Sequence, residues 1–228
     1  MQSSVKLVSI SQPELEIANK KPSPEELIVY MARVSNPNNQ DNLKSASKLL
    51  KYLIENKHWS PFEMVSLTIE IETSRGISPQ ILRHRSFSFQ EFSQRYQSVD
   101  DSGVVLYAAR RQDNKNRQNS IDDLPEVVKN EWNQRQLENW KTSFDHYKWA
   151  LDNGIAKECA RFILPLGTST KLYMSGPLRS WIHYIQVRDF NTGTQLEHAE
   201  IADKIKELII PHFPNVAEAL EWTIKQTT

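Results

Sequence analysis

Residues 80–96 read QILRHRSFSFQEFSQRY, and this stretch decides how the rest of the chain is interpreted. Its first part predicts the end of a short helix, in which Gln80 and Arg83 share a face because they are three residues apart. Its second part predicts a short strand, whose alternate side chains point to one face of a sheet. The polar residues on that face are Glu91, Ser93 and Arg95. We therefore expect a helix end and a strand to converge on one ligand.

The residue types in this stretch indicate an anionic ligand. A carboxylate, a hydroxyl and a guanidinium on one face can bind a phosphate ester and the adjoining sugar, because Arg presents a planar fork of donors to phosphate oxygens. The alternative is an edge strand with solvated charges. Four aromatic side chains interleave with the polar ones and favour the ligand site: Phe87, Phe89, Phe92 and Tyr96.

Outward from this stretch, the chain alternates between strands and long helices. Apolar and polar residues alternate through 64–73, which predicts a half-buried strand, and further strands are predicted at 5–11 and 168–175. Ser23 followed by Pro24 predicts a helix start, with Leu27, Val29, Tyr30 and Val34 facing inward. Other helices are predicted at 41–56, 124–153, 178–187, 195–210 and 217–225.

These elements lack the regular alternation of a parallel sheet, so the predicted fold class is α+β, with a mixed or antiparallel sheet and several long helices. No internal repeat or linker divides the sequence, and we expect a single domain over residues 1–228. The polar segment 110–122 predicts a solvated, mobile loop, with a functional lid as the alternative.

Composition narrows the function classes. The chain has 28 Lys plus Arg and 28 Asp plus Glu, whereas nucleic-acid binders usually carry a basic excess. Its 6 glycines form neither a dinucleotide fingerprint nor a Walker loop. A single cysteine, Cys159, and the lack of a signal peptide or membrane span predict a cytoplasmic protein that does not bind membranes. The histidines show no spacing suited to a metal site.

The helix predicted at 178–187 carries a second cationic group. Trp181, Ile185 and Arg188 fall on one stripe, so Arg188 occupies a core-like position and needs an anionic or hydrogen-bonding partner. The alternative is an arginine at a helix C-terminus that pairs with the dipole and with Asp189. A separate polar stripe contains Arg179, His183 and Gln186, and Arg161 lies in an apolar setting as a further candidate.

The motifs in these segments resemble those of the flavin-dependent thymidylate synthases. Arg83-His84-Arg85, seven residues and then Ser93 are similar to the R-H-R-x7-S signature of that family. The segment from Ala160 to Pro165, ARFILP, is similar to the family's A-R-x-x-L-P segment. The helix that bears Arg179 and Arg188 is similar to a second family helix. The similar segments extend from about His58 to His198.

The resemblance implies specific ligands for these residues. FAD contacts are implied for Ser60, Arg83, His84, Arg85, Glu91, Arg179 and His183. Contacts to deoxyuridine monophosphate (dUMP) are implied for Gln80, Arg83, Glu91, Ser93, Arg95, Arg161 and Arg188. The family's fold and its homotetrameric assembly are likewise implied.

The implied reaction is reductive methylation of dUMP to thymidine monophosphate (dTMP), with methylenetetrahydrofolate as carbon donor and NADPH as reductant through FAD. Cys159 lies among apolar residues and is interpreted as a small buried hydrophobe, not a nucleophile. Activation of the uracil is therefore expected from the charge of Arg188, the implied catalytic residue. Ser93 is expected to position the substrate. The competing functions are an NADPH oxidoreductase with bound FAD that ignores dUMP, and a nucleic-acid-binding module.

Overall fold

The computed structural model of the chain describes residues 2–17, 19–99 and 103–223. Its main sheet is antiparallel, with the strand order β1-β2-β6-β3. A second pair of strands, β4 and β5, forms a separate hairpin. The strands are β1 (Ser4–Ile10), β2 (Ser66–Ser74), β3 (Ser88–Glu91), β4 (Arg111–Gln112), β5 (Ser120–Ile121) and β6 (Ser169–Pro177).

Helices precede, separate and follow these strands, and together with the antiparallel sheet they confirm the α+β class. Short 3-10 segments, including Ser60–Glu63 and Arg161–Ile163, complete the turns. The α-helices are α1 (Pro24–Ala32), α2 (Ala46–Glu55), α3 (Ser78–Ile81), α4 (Glu126–Asp152), α5 (Lys157–Ala160), α6 (Leu178–Val187), α7 (Leu196–Ile209) and α8 (Pro214–Ala219).

Strand β2 is the centre of the main core, and its alternation was predicted correctly. Leu67, Ile69 and Ile71 are buried, while Thr68 and Glu70 between them are half-buried. Strand β6 pairs with β2 along the whole length of β2, from Ser66 opposite Pro177 to Ser74 opposite Ser169. Apolar side chains of β2 can therefore pack against α1, α2, α6, α7 and α8 in one continuous core.

Helix α6 packs its buried face against this core. Trp181 is fully buried, and its indole nitrogen donates hydrogen bonds to the carbonyls of Leu67 and Gly176, at 3.4 and 3.2 Å. The predicted apolar stripe of α6 is thus confirmed, and it fixes the helix against β2 and β6. A smaller second core lies under α4, where Trp140, Phe144 and Tyr147 pack together.

Two glutamates in the first turn of α1 cap the N-termini of helices. The predicted helix start is confirmed, because Ser23 and Glu26 form a capping box. The adjacent Glu25 is buried and accepts hydrogen bonds from the backbone N–H groups of Asn215 and Val216, at 3.3 and 2.7 Å. The first turn of α1 therefore caps the N-terminus of α8.

Several boundaries differ from the predictions. Helix α1 ends at Ala32, so Val34 lies beyond it and is 68% exposed, not inward-facing. Helix α2 begins at Ala46 and not at residue 41, because the preceding residues form turns. The last helix, predicted at 217–225, is α8 and ends at Ala219; residues 224 and 225 lie outside the described residues.

The segment 110–122 was wrongly predicted to be a mobile loop. It forms the β4–β5 hairpin, in which Asp113 accepts hydrogen bonds from the backbone of Lys115 and from Asn119, at 2.8 and 2.9 Å. At its base, Arg110 forms an ion pair of 2.7 Å with Glu197, and both side chains are only 13% exposed. Polar residues here satisfy one another and attach the hairpin to α7.

None of the described helices combines the length and the apolar character needed to cross a membrane.

Candidate active site

The three basic residues Arg83, His84 and Arg85 lie in the turn between α3 and β3. Arg83 and Arg85 are exposed, whereas His84 is half-buried. Phe87 ends the turn and packs against Trp181, with a ring separation of 4.6 Å. The turn is thereby attached to α6, so that its cationic side chains border this helix.

A glycine in β6 makes this attachment possible. A Cβ atom at Gly176 would lie 2.5 Å from a ring carbon of Phe87, closer than real Cβ contacts. The absence of a side chain therefore lets the Phe87 ring approach the strand and reach Trp181.

His84 binds Arg188, the residue expected to be catalytic. Arg188 is half-buried at the C-cap of α6, and its Nε donates to Nε2 of His84 at 2.9 Å. Burial, with the nearby charges of Arg188 and His183, lowers the pKa of His84 to about 4. A neutral imidazole is thus the acceptor, and it holds the guanidinium without offsetting its positive charge. The alternative partner, Asp189, accepts hydrogen bonds from its neighbour Asn191.

A second group of site residues is built around Glu91, at the end of β3. One of its carboxylate oxygens, Oε1, accepts hydrogen bonds from Ser78 at 2.7 Å and from Thr170 at 2.9 Å. The same oxygen pairs with Nη1 of Arg75 at 3.0 Å, and the other terminal nitrogen of Arg75 donates to the carbonyl of Phe92 at 2.6 Å. Glu91 therefore fixes the orientation of Arg75.

Some buried hydrogen-bond donors lack an acceptor within the described part of the chain, and one of them belongs to this group. Three buried nitrogens have no acceptor among the described residues: Nε of Arg75, Nε2 of Gln94 and Nε of Arg161. Burial lowers the pKa of Arg75; Glu91 opposes this effect, and the nearby charge of Arg161 adds to it. Unpaired buried N–H groups cost stability unless a ligand supplies acceptors, so the arrangement suits an anion.

Ser93 and Arg95 do not share a strand face with Glu91, which corrects the sequence prediction. Strand β3 ends at Glu91, and the chain turns at residues 94–96. Ser93 instead lines a cavity of about 360 Å³ together with Glu91 and Tyr96. Arg95 is exposed and pairs with Glu158 at 3.1 Å. Ser93 thus stays close to Glu91, while Arg95 points to another element.

A larger cavity, of about 470 Å³, opens beside α6. Arg179 and His183, two residues of the polar stripe, line it together with Trp59 and Ser86. Ser60 follows Trp59 in the chain and is exposed. Arg179 pairs with Glu63 on the same wall at 2.6 Å. Cationic, aromatic and hydroxyl groups around a cavity of this size can hold a large aromatic anion such as a flavin dinucleotide.

Gln80 lies on the other side of α3 from Ser78. Its side-chain nitrogen donates to Oε1 of Gln195 at 2.8 Å, and its oxygen lies 3.4 Å from Nδ1 of His198. Gln80 contacts His198, and Arg188 contacts His84. The ring centroids of the two histidines are 6.2 Å apart, so both predicted substrate residues are attached to one aromatic cluster.

The sequence did not point to Arg75, Gln94 or His198. Arg75 directly follows the alternating strand β2, and this position at a strand end was the one available signal. The apolar setting assigned to Cys159 was also wrong, because this thiol is exposed in α5, a helix of one turn.

Sequence and structure comparisons agree on one group of proteins. Residues 16–215 match the profile of a family described as thymidylate synthase complementing protein. The chain is 55% identical over 219 residues to a probable flavin-dependent thymidylate synthase from Paramecium bursaria Chlorella virus 1, and the match covers 96% of this chain and 99% of that protein. It is also 55% identical over 218 residues to a flavin-dependent thymidylate synthase from Synechocystis sp., with the same coverage of 96% and 99%.

The fold has solved counterparts. A UMP/dUMP methylase, PolB from Streptomyces cacaoi, bound with 5-Br UMP, has a TM-score of 0.81 at 26% identity, over 96% of this chain and 93% of that chain. The structure of this methylase bound with 5-Br dUMP also has a TM-score of 0.81, at 24% identity over 96% and 95% of the two chains, and shows the shared fold.

Proposed function

The chain belongs to the thymidylate synthase complementing protein family, that of the flavin-dependent thymidylate synthases, and we propose that it converts dUMP to dTMP. Methylenetetrahydrofolate is the proposed carbon donor and NADPH the proposed reductant. The reaction takes place in a single catalytic domain over residues 1–228, in the cytoplasm.

The excess of buried donors carries this proposal. Arg75, Gln94 and Arg161 each leave a buried nitrogen without an acceptor among the residues that the structure describes. A phosphate monoester supplies several acceptor oxygens and a negative charge of up to two, which suits two guanidinium groups. We assign the phosphate of dUMP to these residues, with Ser93 beside it. Arg95, which pairs with Glu158 in this structure, is proposed to turn towards the phosphate when the nucleotide binds.

The uracil is assigned to Arg188. A positive charge at the edge of the ring favours ionisation of N3 and makes C5 more nucleophilic, as preorganised charge does in other active sites. His84 supports this role, because its neutral Nε2 holds the guanidinium and leaves its charge to act on the substrate. We assign Ser93 to position the nucleotide and not to attack it. Its hydroxyl is oriented by a hydrogen bond that it accepts from the backbone N–H of Arg95 at 3.3 Å.

FAD is assigned to the cavity beside α6 and to the basic turn. A flavin held there would supply the redox chemistry that links NADPH to the transferred one-carbon unit. The cavity of about 470 Å³ and its exposed Arg179 and His183 support this assignment. The residues that would hold FAD are Ser60, Arg83, His84, Arg85, Glu91, Arg179 and His183. Glu91 has a second assigned role at the dUMP site, where its ion pair of 3.0 Å holds Arg75 towards the nucleotide.

A homotetramer is part of the proposal. Two large apolar side chains next to assigned substrate residues are strongly exposed: Tyr96, beside Arg95, is 82% exposed, and Phe162, beside Arg161, is 80% exposed. Apolar surface next to a site is expected to be covered by a partner, here another copy of the chain.

Product analysis by mass spectrometry tests the function. FAD-loaded protein with dUMP, methylenetetrahydrofolate and NADPH is expected to form dTMP, and omission of any of the three is expected to abolish it. Arg188→Ala is expected to retain flavin and lose dTMP formation. Oxidation of NADPH that neither needs dUMP nor yields dTMP would instead indicate an oxidoreductase of other specificity.

A further inference from the structure

His198 is a buried histidine of α7 that the proposed reaction does not use. Its side chain has 0% exposure. Its two ring nitrogens face different partners: Nε2 lies 3.0 Å from the hydroxyl of Tyr184, and Nδ1 lies 3.4 Å from Oε1 of Gln80. His198 thus connects the core of α6 to a residue assigned to the substrate.

The imidazole of His198 is neutral. Burial, with the charge of Arg188 and the proximity of His84, lowers its pKa to about 3. A neutral imidazole carries one N–H group and one lone pair, so one nitrogen donates and the other accepts. Which nitrogen donates depends on the hydrogen-bond partners of the ring.

The direction of the hydrogen bonds is set at Glu197. Its carboxylate accepts from Arg110 at 2.7 Å; although burial alone would raise its pKa, the hydrogen bonds from Arg110, its own backbone and Gln195 lower it. An ionised carboxylate only accepts, so Gln195 presents its NH2 group to Glu197, at 2.9 Å. The carbonyl oxygen of Gln195 must then face Gln80, whose own NH2 group donates to it at 2.8 Å.

The same logic continues to Tyr184. Because the NH2 group of Gln80 faces Gln195, its carbonyl oxygen faces His198, and Nδ1 of His198 must carry the proton. Its Nε2 then accepts from the hydroxyl of Tyr184, which keeps its proton because burial raises its pKa. Every donor in this chain of hydrogen bonds points towards Glu197, and the β4–β5 hairpin holds that end through Arg110.

We propose that His198 is a positioning residue that fixes the carboxamide of Gln80, so that Gln80 offers its remaining N–H, and not its carbonyl, to the nucleotide. Gln80 therefore recognises an acceptor oxygen of dUMP. The inference rests on the proposed function for the identity of the ligand, but not for the state of His198. It also gives the polar hairpin a role, since Arg110 holds the acceptor end of the chain.

The tautomer of His198 is the first test. A long-range 1H–15N correlation spectrum of FAD-loaded protein with 15N-labelled histidine, assigned with His198→Asn, is expected to show a protonated Nδ1 and an unprotonated Nε2. An Nε2–H tautomer, or a charged imidazole at pH 7, would overturn the inference whether or not the protein acts on dUMP.

Two substitutions test the effect on the substrate. His198→Asn can place an N–H close to the position of Nδ1, whereas His198→Leu cannot. We expect His198→Leu to raise the KM for dUMP about 10-fold, in line with the loss of one hydrogen bond, while kcat changes less than about 2-fold. His198→Asn is expected to keep the KM within about 3-fold of the original protein. His146→Leu, the same change at an exposed histidine of α4, is the control.

Other outcomes separate the two proposals. Equal KM increases in His198→Asn and His198→Leu, or no increase in His198→Leu, would contradict a donor role for His198. If His198→Leu does not fold, the His198→Asn kinetics and the tautomer decide. A protein that shows the Nδ1–H tautomer but does not convert dUMP would refute the proposed function and leave the orientation of Gln80 intact.

Discussion

Arg75 is the side chain whose substitution tests the proposed phosphate site most sharply. Its terminal nitrogens are bound to Glu91 and to the carbonyl of Phe92, whereas its buried Nε has no acceptor in the part of the chain that the structure describes. A phosphate oxygen at this Nε forms a charge-assisted hydrogen bond of about 1.5–3 kcal/mol. Because about 1.4 kcal/mol corresponds to a factor of ten, its loss predicts an increase of about 10- to 150-fold in the Kd for dUMP.

Arg75→Lys is the informative change, because lysine keeps a positive charge for Glu91 but lacks the planar fork of donors. Calorimetric titrations of FAD-loaded protein with dUMP and with deoxyuridine measure both affinities. The Kd for dUMP is expected to rise by the stated factor, and that for deoxyuridine is expected to change less than about 2-fold. Arg135→Lys, at an exposed ion pair with Glu131 on α4, is the matched control.

Equal losses for dUMP and deoxyuridine in Arg75→Lys would refute the reasoning, because the missing interaction would then not involve the phosphate. An affinity for dUMP within about 2-fold of the original protein would also refute it. Thermal denaturation of the same samples separates either result from a loss of folded protein.

Three further predictions concern stability. Gly176→Ala is expected to lower the free energy of unfolding by about 1–3 kcal/mol, because its Cβ would lie 2.5 Å from the Phe87 ring; Phe87→Leu in the same protein should recover part of the loss, and unchanged denaturation would contradict the close approach. Glu25→Ala is expected to cost about 2–3 kcal/mol, because it leaves the buried N–H of Val216 without its acceptor at 2.7 Å; Glu25→Gln should cost less, and equal costs would show that the acceptor is not what matters. The pKa of His198 is lowered to about 3, so its neutral form stabilises the fold above the unfolded value of about 6.5, and this stability is lost as pH falls towards 3. Between pH 6 and 4.5, the free energy of unfolding of the original protein is expected to fall by about 1.4 kcal/mol per pH unit more than that of His198→Asn. Chemical denaturation measures both slopes, and identical slopes would contradict this prediction.

Periodicity predicted the parts of the fold that are regular over many residues. In β2 the alternation of Leu67 and Ile69 with polar residues indicated both the strand and its buried face. In α6 the spacing of Trp181 and Ile185 indicated the core stripe, and that of Arg179 with His183 indicated a separate polar face, which borders a cavity. Side chains on these elements were predictable because local geometry alone determines where they point.

Contacts between distant segments were not predictable in this way. Arg75 matters because Glu91 and Phe92 bind it, and His198 matters because it lies beside Gln80, 118 residues earlier in the chain. The alternation that suggested a strand through Arg95 failed because ladder pairing with β6 ends at Glu91.

The prediction of a mobile loop at 110–122 failed for a different reason. Composition does not distinguish a solvated loop from a segment whose polar groups bind one another, as Asp113 and Asn119 do here. Cys159 was misplaced because the apolar residues that follow it, Phe162 and Ile163, are themselves 80% and 42% exposed and do not bury the thiol.

The most direct test of the central claim, that dUMP and a flavin occupy one site, is the absorbance spectrum of the purified protein. After loading with FAD, addition of dUMP is expected to shift the oxidised-flavin bands in a saturable way, and deoxyuridine is expected to do so only at much higher concentration. A flavin spectrum indifferent to dUMP, or a colourless protein that cannot be loaded with FAD, would contradict the claim.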